Sequence, residues 1–155
     1  MARASARRAT AVEKPEGERA PSGDPSWRQG KPASAAELEV TTSAQAARAG
    51  EQIAVEVSSR DNTRVKAEVF RLGFYGGAGA HRVWNGGTYA VSPRQMCSRA
   101  TVSAPAACPP RQTFAFEIAE DWEPGLYLVK VTRPDGRRHF TSLVIKDRDS
   151  TASAP

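Results

Sequence analysis

The sequence predicts an all-β fold, an immunoglobulin- or fibronectin-like antiparallel β-sandwich of seven to eight strands. Three observations predict it. Apolar residues through the middle of the chain recur with a period of two. Turn residues interrupt them every several positions. No stretch carries a helical stripe of useful length, and there is no internal repeat.

Taken in order, Leu38, Val40 and Thr42 alternate with Glu37, Glu39 and Thr41. A turn at Ala49, Gly50 and Glu51 leads into Ile53, Val55 and Val57, which alternate with Gln52, Glu56 and Ser58. Residues 60–63 turn the chain into a strand at 64–72. Residues 81–84 and 88–91 read as a short hairpin about Asn85, Gly86 and Gly87, a strong turn signal. Residues 92–111 hold four prolines and read as irregular. Phe114, Phe116 and Ile118 mark the next strand. Tyr127, Val129 and Val131 mark another, with Leu126 and Leu128 on its other face. Pro134, Asp135 and Gly136 form a hairpin turn, and residues 140–145 close the domain. Shared parity places Val55, Val57, Val69, Phe114, Phe116, Tyr127 and Val129 in the core. DWEPGLY at 121–127 has the spacing of a tyrosine corner, with Tyr127 bonding back to upstream backbone.

The ends differ in composition. Residues 1–33 are rich in Ala, Arg, Pro, Glu, Ser and Gly and read as a disordered basic tail, with Trp27 as a residue that docks on the following domain. The sandwich spans 34–147, and 148–155 is linker-like. The net charge of +5 is concentrated early, where Arg3, Arg7 and Arg8 precede the first acid, Glu13. Signs nearly balance from 34 to 148, and no aromatic–basic interleaving offers a nucleic-acid surface. No apolar run is long enough to span a membrane, and the first residues lack the apolar core of a signal peptide.

The densest signal is the glycine–aromatic stretch RLGFYGGAGA at 71–80. Four glycines within seven residues make a shaped turn, with no phosphate-loop or dinucleotide pattern. Just before it the strand's parity fails. Val65, Ala67 and Val69 share one face, yet Phe70 and Leu72 fall on the polar face and Arg71 on the apolar one. Either a β-bulge shifts the register or the outer face is covered beyond Glu68. Phe70, Arg71, Phe74, Tyr75 and Trp84 are accordingly a candidate docking surface, unless the loop folds back and buries these aromatics.

Chemistry-bearing residues are sparse. Cys97 and Cys108 enclose ten residues of a proline-rich segment. A bridge there would contribute roughly 2–3 kcal/mol in an oxidising compartment, and two independent thiols are the alternative. The cysteine pair points to an extracytoplasmic location. Glu120, Asp121 and Glu123 read as a solvated acidic turn, and His81 as a strand histidine without a nucleophile at a recognisable spacing. No catalytic, metal or cofactor residue is assigned to this chain.

EVFRLGFYGGAGA at 68–80 resembles the Tyr-Arg-x-Gly-aromatic-Tyr-Gly-Gly-x-Gly-Ala signature of the N,N-dimethylformamidase large (beta) subunit-like family. Residues 49–55, WEPGLYLVK at 122–130 and LVIKD at 143–147 resemble further pieces of that family in the same order, and Cys97 and Cys108 lie where some members carry a cysteine pair. The resemblance implies an N-terminal β-sandwich preceding a larger, iron-dependent amide-hydrolysing domain. The family's iron ligands, two tyrosines and a glutamate, belong to that larger domain and map onto no residue here. The resemblance therefore implies a non-catalytic accessory domain whose partner is a catalytic domain of the same family or another protein. A free-standing secreted module binding carbohydrate or protein is the alternative.

Overall fold

The computed structural model describes residues 22–93 and 112–147. Nine strands form two sheets among these residues: β1 (Lys31–Pro32), β2 (Leu38–Thr42), β3 (Ala46–Ala47), β4 (Gln52–Ser59), β5 (Thr63–Leu72), β6 (Ala80–Val91), β7 (Phe114–Glu117), β8 (Gly125–Thr132) and β9 (Arg137–Ile145). The larger sheet runs β1-β9-β8-β5-β6, with β3 also on β9; the smaller runs β2-β4-β7. The chain thus enters beside β9, crosses to the small sheet as β2, and returns to β9 as β3, in both cases parallel to it. This sheet-switching first strand, with β9, β8, β5 and β6 side by side, is the topology of an immunoglobulin-like sandwich. The Cys97 and Cys108 pair lies outside the described residues.

The core follows from strand parity. Val55, Val57, Val69, Phe114, Phe116, Tyr127 and Val129 are all buried between the sheets, with Leu38, Ile53, Val65, Val131, Leu143 and Ile145. The turn at residues 134–136 sets the β8–β9 register, pairing Leu126 with Val144 and Thr132 with Arg138. His139, opposite Val131, reaches across to β2, where the Val40 N–H donates to its Nδ1 at 3.3 Å.

The hairpin expected at Asn85, Gly86 and Gly87 is instead the middle of one long strand. β6 runs unbroken from Ala80 to Val91 against β5, with register shifts at Ala67/Glu68 and Val69/Phe70. The extra residues, Val83 and Gly86, are on β6. In a regular strand Arg82 and Trp84 would share a face, while Trp84 and Tyr89 would oppose. The two bulges reverse both relations. Arg82 turns outward to Glu68 at 3.0 Å. Trp84 turns inward onto Phe114 and Phe116, and Tyr89 stacks on Phe114 at 4.6 Å. Glycine is required at 86, because a Cβ there would lie 2.1 Å from the Trp84 ring.

The failed parity at Phe70 has the second of its two explanations. β5 pairs with β8 without interruption from Lys66 to Arg71. Its outer face is covered instead, and Glu68 and Phe70 are buried. The cover is the segment leading into β1, so residues 22–33, expected in the tail, belong to the folded domain. Asp24 caps a 3-10 turn at Pro25–Arg28 by accepting from the Ser26 N–H. Trp27 packs on Phe140 at 6.2 Å and donates from Nε1 to the Ala78 carbonyl at 2.9 Å. Lys130 Nζ and Arg138 Nε donate to the Ser26 and Gln29 carbonyls. Composition missed this because backbone carbonyls and one indole, rather than an apolar run, hold the strap.

Candidate functional site

The glycine–aromatic loop joins β5 to β6. Its neck is closed by the Gly73 N–H donating to the Gly79 carbonyl at 3.1 Å, and Phe74 and Tyr75 carbonyls accept from Gly77 and Ala78. The strap clamps the far side through Asp24 N–H to the Ala80 carbonyl at 2.8 Å and the Trp27 indole on Ala78. Gly79, at φ +92°, lies so close to Trp27 that a Cβ would come within 3.0 Å of its Nε1.

Tyr75 has φ +44°, a left-handed conformation that an aromatic residue rarely adopts. Two contacts hold it. Its hydroxyl accepts from Arg71 Nη1 at 2.9 Å, and its ring leans on His81 at 5.5 Å. Arg71 extends the connection to the other loop at this end of the sandwich, donating from Nη2 to the Pro124 carbonyl at 2.7 Å. Beside it the Tyr127 hydroxyl donates to the Glu123 carbonyl at 2.5 Å, the hydrogen bond of a tyrosine corner. Burial pushes the Tyr127 hydroxyl up to about 12. The strained loop is therefore braced from two sides, by the strap and by Arg71, which reaches the Pro124 carbonyl beside the tyrosine corner.

The five expected docking residues do not form one patch. Phe70 is fully buried, with the Lys130 ammonium 5.9 Å from its ring centroid. Trp84 faces inward on β7. Arg71 and Tyr75 are half-buried in bracing the loop. Phe74 alone stands out, 80% exposed.

The large sheet carries further exposed apolar residues that the sequence did not assign to a site. On the outer face of the large sheet, register places Phe70 beside Leu128 and Leu128 beside Ser142; one step nearer the loop come Leu72, Leu126 and Val144. That outermost row lies beyond the strap. Leu126 is 43% and Val144 44% exposed, and Leu72 is half-buried. Leu126 and Val144 stand side by side across the β8–β9 pair. The available signal was the parity of Leu126 and Leu128 combined with the hairpin register from residues 134–136.

The exposed apolar side chains offer a binding surface. The three tyrosines do not converge as ligands: Tyr75 is tied to Arg71, Tyr89 is stacked on Phe114 and Tyr127 is tied to Glu123. They do not fit an iron centre. Glu120, Asp121 and Glu123 are exposed in their turn. Among the described residues no group of three or more His, Cys, Asp or Glu could hold a metal ion, and no helix is long and apolar enough to cross a membrane.

A family model described as "N,N-dimethylformamidase beta subunit-like, C-terminal" matches residues 66–154, more than half of the chain and nearly all of β5 through β9. Its description places this region in the C-terminal part of those proteins, whereas the motif resemblance placed it at an N-terminal sandwich. No curated protein matches the chain. Among solved structures, an uncharacterised protein from Bacillus anthracis is similar at 14% identity, covering 68% of this chain and 80% of that one, with a TM-score of 0.43. A β-glucosidase from Listeria innocua, in complex with gluconolactone, is similar at 14% identity over 72% of this chain and 16% of that one, TM-score 0.39. Spo0M, a sporulation control protein from Bacillus subtilis, is similar at 10% identity over 72% of this chain and 49% of that one, TM-score 0.36. The chain thus spans a small part of the glucosidase and about half of Spo0M.

Proposed function

The chain belongs to the N,N-dimethylformamidase beta subunit-like family, and from that membership we propose that it is a non-catalytic accessory β-sandwich docking on the catalytic part of an amide hydrolase of that family. The observation supporting this reading is the set of exposed apolar side chains at this end of the chain's large sheet and loop, Leu126, Val144 and Phe74, the last on a braced, strained loop. An exposed phenylalanine held rigid costs little conformational entropy to bury, which is the property of an interface anchor. Strain at Tyr75 is sustained by its contacts with Arg71 and His81, and together with the strap's hold on Ala78 these fix the loop that carries Phe74. The family description as subunit-like supports a catalytic chain of the same family as the occupant. Iron and amide hydrolysis reside in that partner.

The test mixes the purified chain with a separately expressed N,N-dimethylformamidase catalytic chain and follows association by sedimentation velocity. Association is expected, and Phe74→Ala or Leu126→Glu should weaken it by at least about tenfold, as loss of an interface anchor does. The chain alone should neither hydrolyse dimethylformamide nor retain iron. Equal association of wild type and both variants would refute the assignment of the surface. Hydrolysis by the chain alone would refute the non-catalytic role.

A further inference from the structure

The strap does more than cover the sheet. Between it and the outer face lies an open cleft of ≈ 220 Å³, lined by Ser26, Gln29, Gly30, Lys66, Glu68, Lys130, Thr132 and Gly136. Lys130 projects from β8 on the outward face, yet the strap leaves it only 3% exposed. Burial accordingly lowers its pKa. An ammonium carries three N–H donors. Among the described residues Lys130 Nζ makes a single hydrogen bond, 3.0 Å to the Ser26 carbonyl, and no ion pair within 4.0 Å. Donor capacity therefore remains on a buried cation that lines a cavity.

The charges around the cleft are unequal. Glu68 is its one lining carboxylate, already paired with Arg82 at 3.0 Å and Lys66 at 3.5 Å. Glu68 is shared between Arg82 and Lys66 and also acts on Lys130, so three cations face the one lining carboxylate. Of the further charges acting on Lys130, Arg138 and Lys66 add to its positive surroundings and Asp24 opposes them, its side chain engaged by the Ser26 N–H. The Thr132 hydroxyl adds a neutral donor on the same wall. Water occupies about 30 Å³ per molecule, so the cleft has room for a small polyatomic group and not for a large ligand.

We propose that this cleft is a binding site for a small oxyanion, a carboxylate or phosphate group, held by Lys130 and Lys66 with Thr132 beneath the strap. Two ammonium groups on neighbouring strands, β5 and β8, suit a ligand presenting several acceptor oxygens. Bound there, the anion lies between the sheet and the strap whose Asp24 and Trp27 pin the glycine loop.

The experiment titrates the full chain with inorganic phosphate and, separately, with acetate, each against sodium chloride of matched ionic strength. Amide resonances are followed by two-dimensional NMR. Saturable shifts at Ser26, Gly30, Thr132 and Gly136, absent with chloride, are expected for at least one of the two anions. Response to phosphate alone identifies a phosphoryl ligand, and response to acetate alone a carboxylate. Lys130→Met should weaken binding by about tenfold or more, the loss of a charge-assisted hydrogen bond. Lys66→Met, at an exposed position, should weaken it while leaving the fold intact, and it serves if Lys130→Met does not fold. No saturable shift with either anion, or unchanged affinity in Lys66→Met and in folded Lys130→Met, overturns the proposal.

Discussion

Replacing Trp27 by alanine removes the main side chain by which the strap grips the sandwich. Three contributions are lost. The indole N–H to the Ala78 carbonyl, 2.9 Å, is a hydrogen bond worth about 1 kcal/mol. The tilted pair with Phe140 at 6.2 Å adds about 0.5 kcal/mol. The indole is half-buried, and roughly 100 Å² of apolar surface returned to water costs about 2.5 kcal/mol. Part of this is offset when the loosened strap regains conformational freedom, leaving about 2–3 kcal/mol. For a domain of this size that is a fall in Tm of about 10–15 °C. Urea and thermal denaturation report it through Trp84 and Trp122 fluorescence. Phe74→Ala is the control, since its side chain is 80% exposed and should change stability by no more than about 0.5 kcal/mol. A Trp27→Ala loss no larger than that control would refute the strap as part of the folded unit.

Gly86→Ala places a methyl where the Trp84 ring lies, so the ring must leave its stack on Phe114 and Phe116; about 1–3 kcal/mol should be lost, read by urea denaturation and by a shift in Trp84 fluorescence. Tyr127 stays protonated to about 12 in the fold while an unfolded tyrosine ionises near 10. Its contribution is therefore complete below pH ~10 and lost as pH rises towards about 12, a change of about 2 kcal/mol that Tyr127→Phe abolishes in a stability–pH profile. His139 behaves oppositely, because burial lowers its pKa and its Nδ1 must stay unprotonated to accept from Val40. Its contribution is complete above pH ~6.5 and is lost as pH falls through the depressed folded value; His139→Gln should flatten that acid limb.

Strand parity made the core legible because each buried face has a period of two and little else competes with it. Val55 and Val57, beside Phe114 and Phe116 on the small sheet, turn to the core shared with Tyr127 and Val129 as alternation alone requires. The same rule exposed the anomaly at Phe70 but left two explanations open, since a covered face and a bulge both break alternation. Choosing between them needed the strap, whose grip is mostly on backbone carbonyls and so leaves almost no trace in composition. Asn85, Gly86 and Gly87 have the chemistry of a hairpin turn, yet β5 is long enough to pair on both sides of them. Positive φ at Gly87 and the crowded Trp84 ring use the same glycines for a bulge. The docking row was half legible. Phe74 lies in the motif that drew notice, whereas Leu126 and Val144 meet only through the β8–β9 register.

Hydrogen–deuterium exchange of the chain, free and mixed with an N,N-dimethylformamidase catalytic chain, tests the docking role most directly. Slowed exchange is expected in residues 72–79 and at the adjoining ends of β8 and β9, around Leu126 and Val144, with the β2-β4-β7 sheet unchanged. Protection on β2, β4 and β7 instead, or a complex that leaves residues 72–79 exchanging as in the free chain, would contradict it.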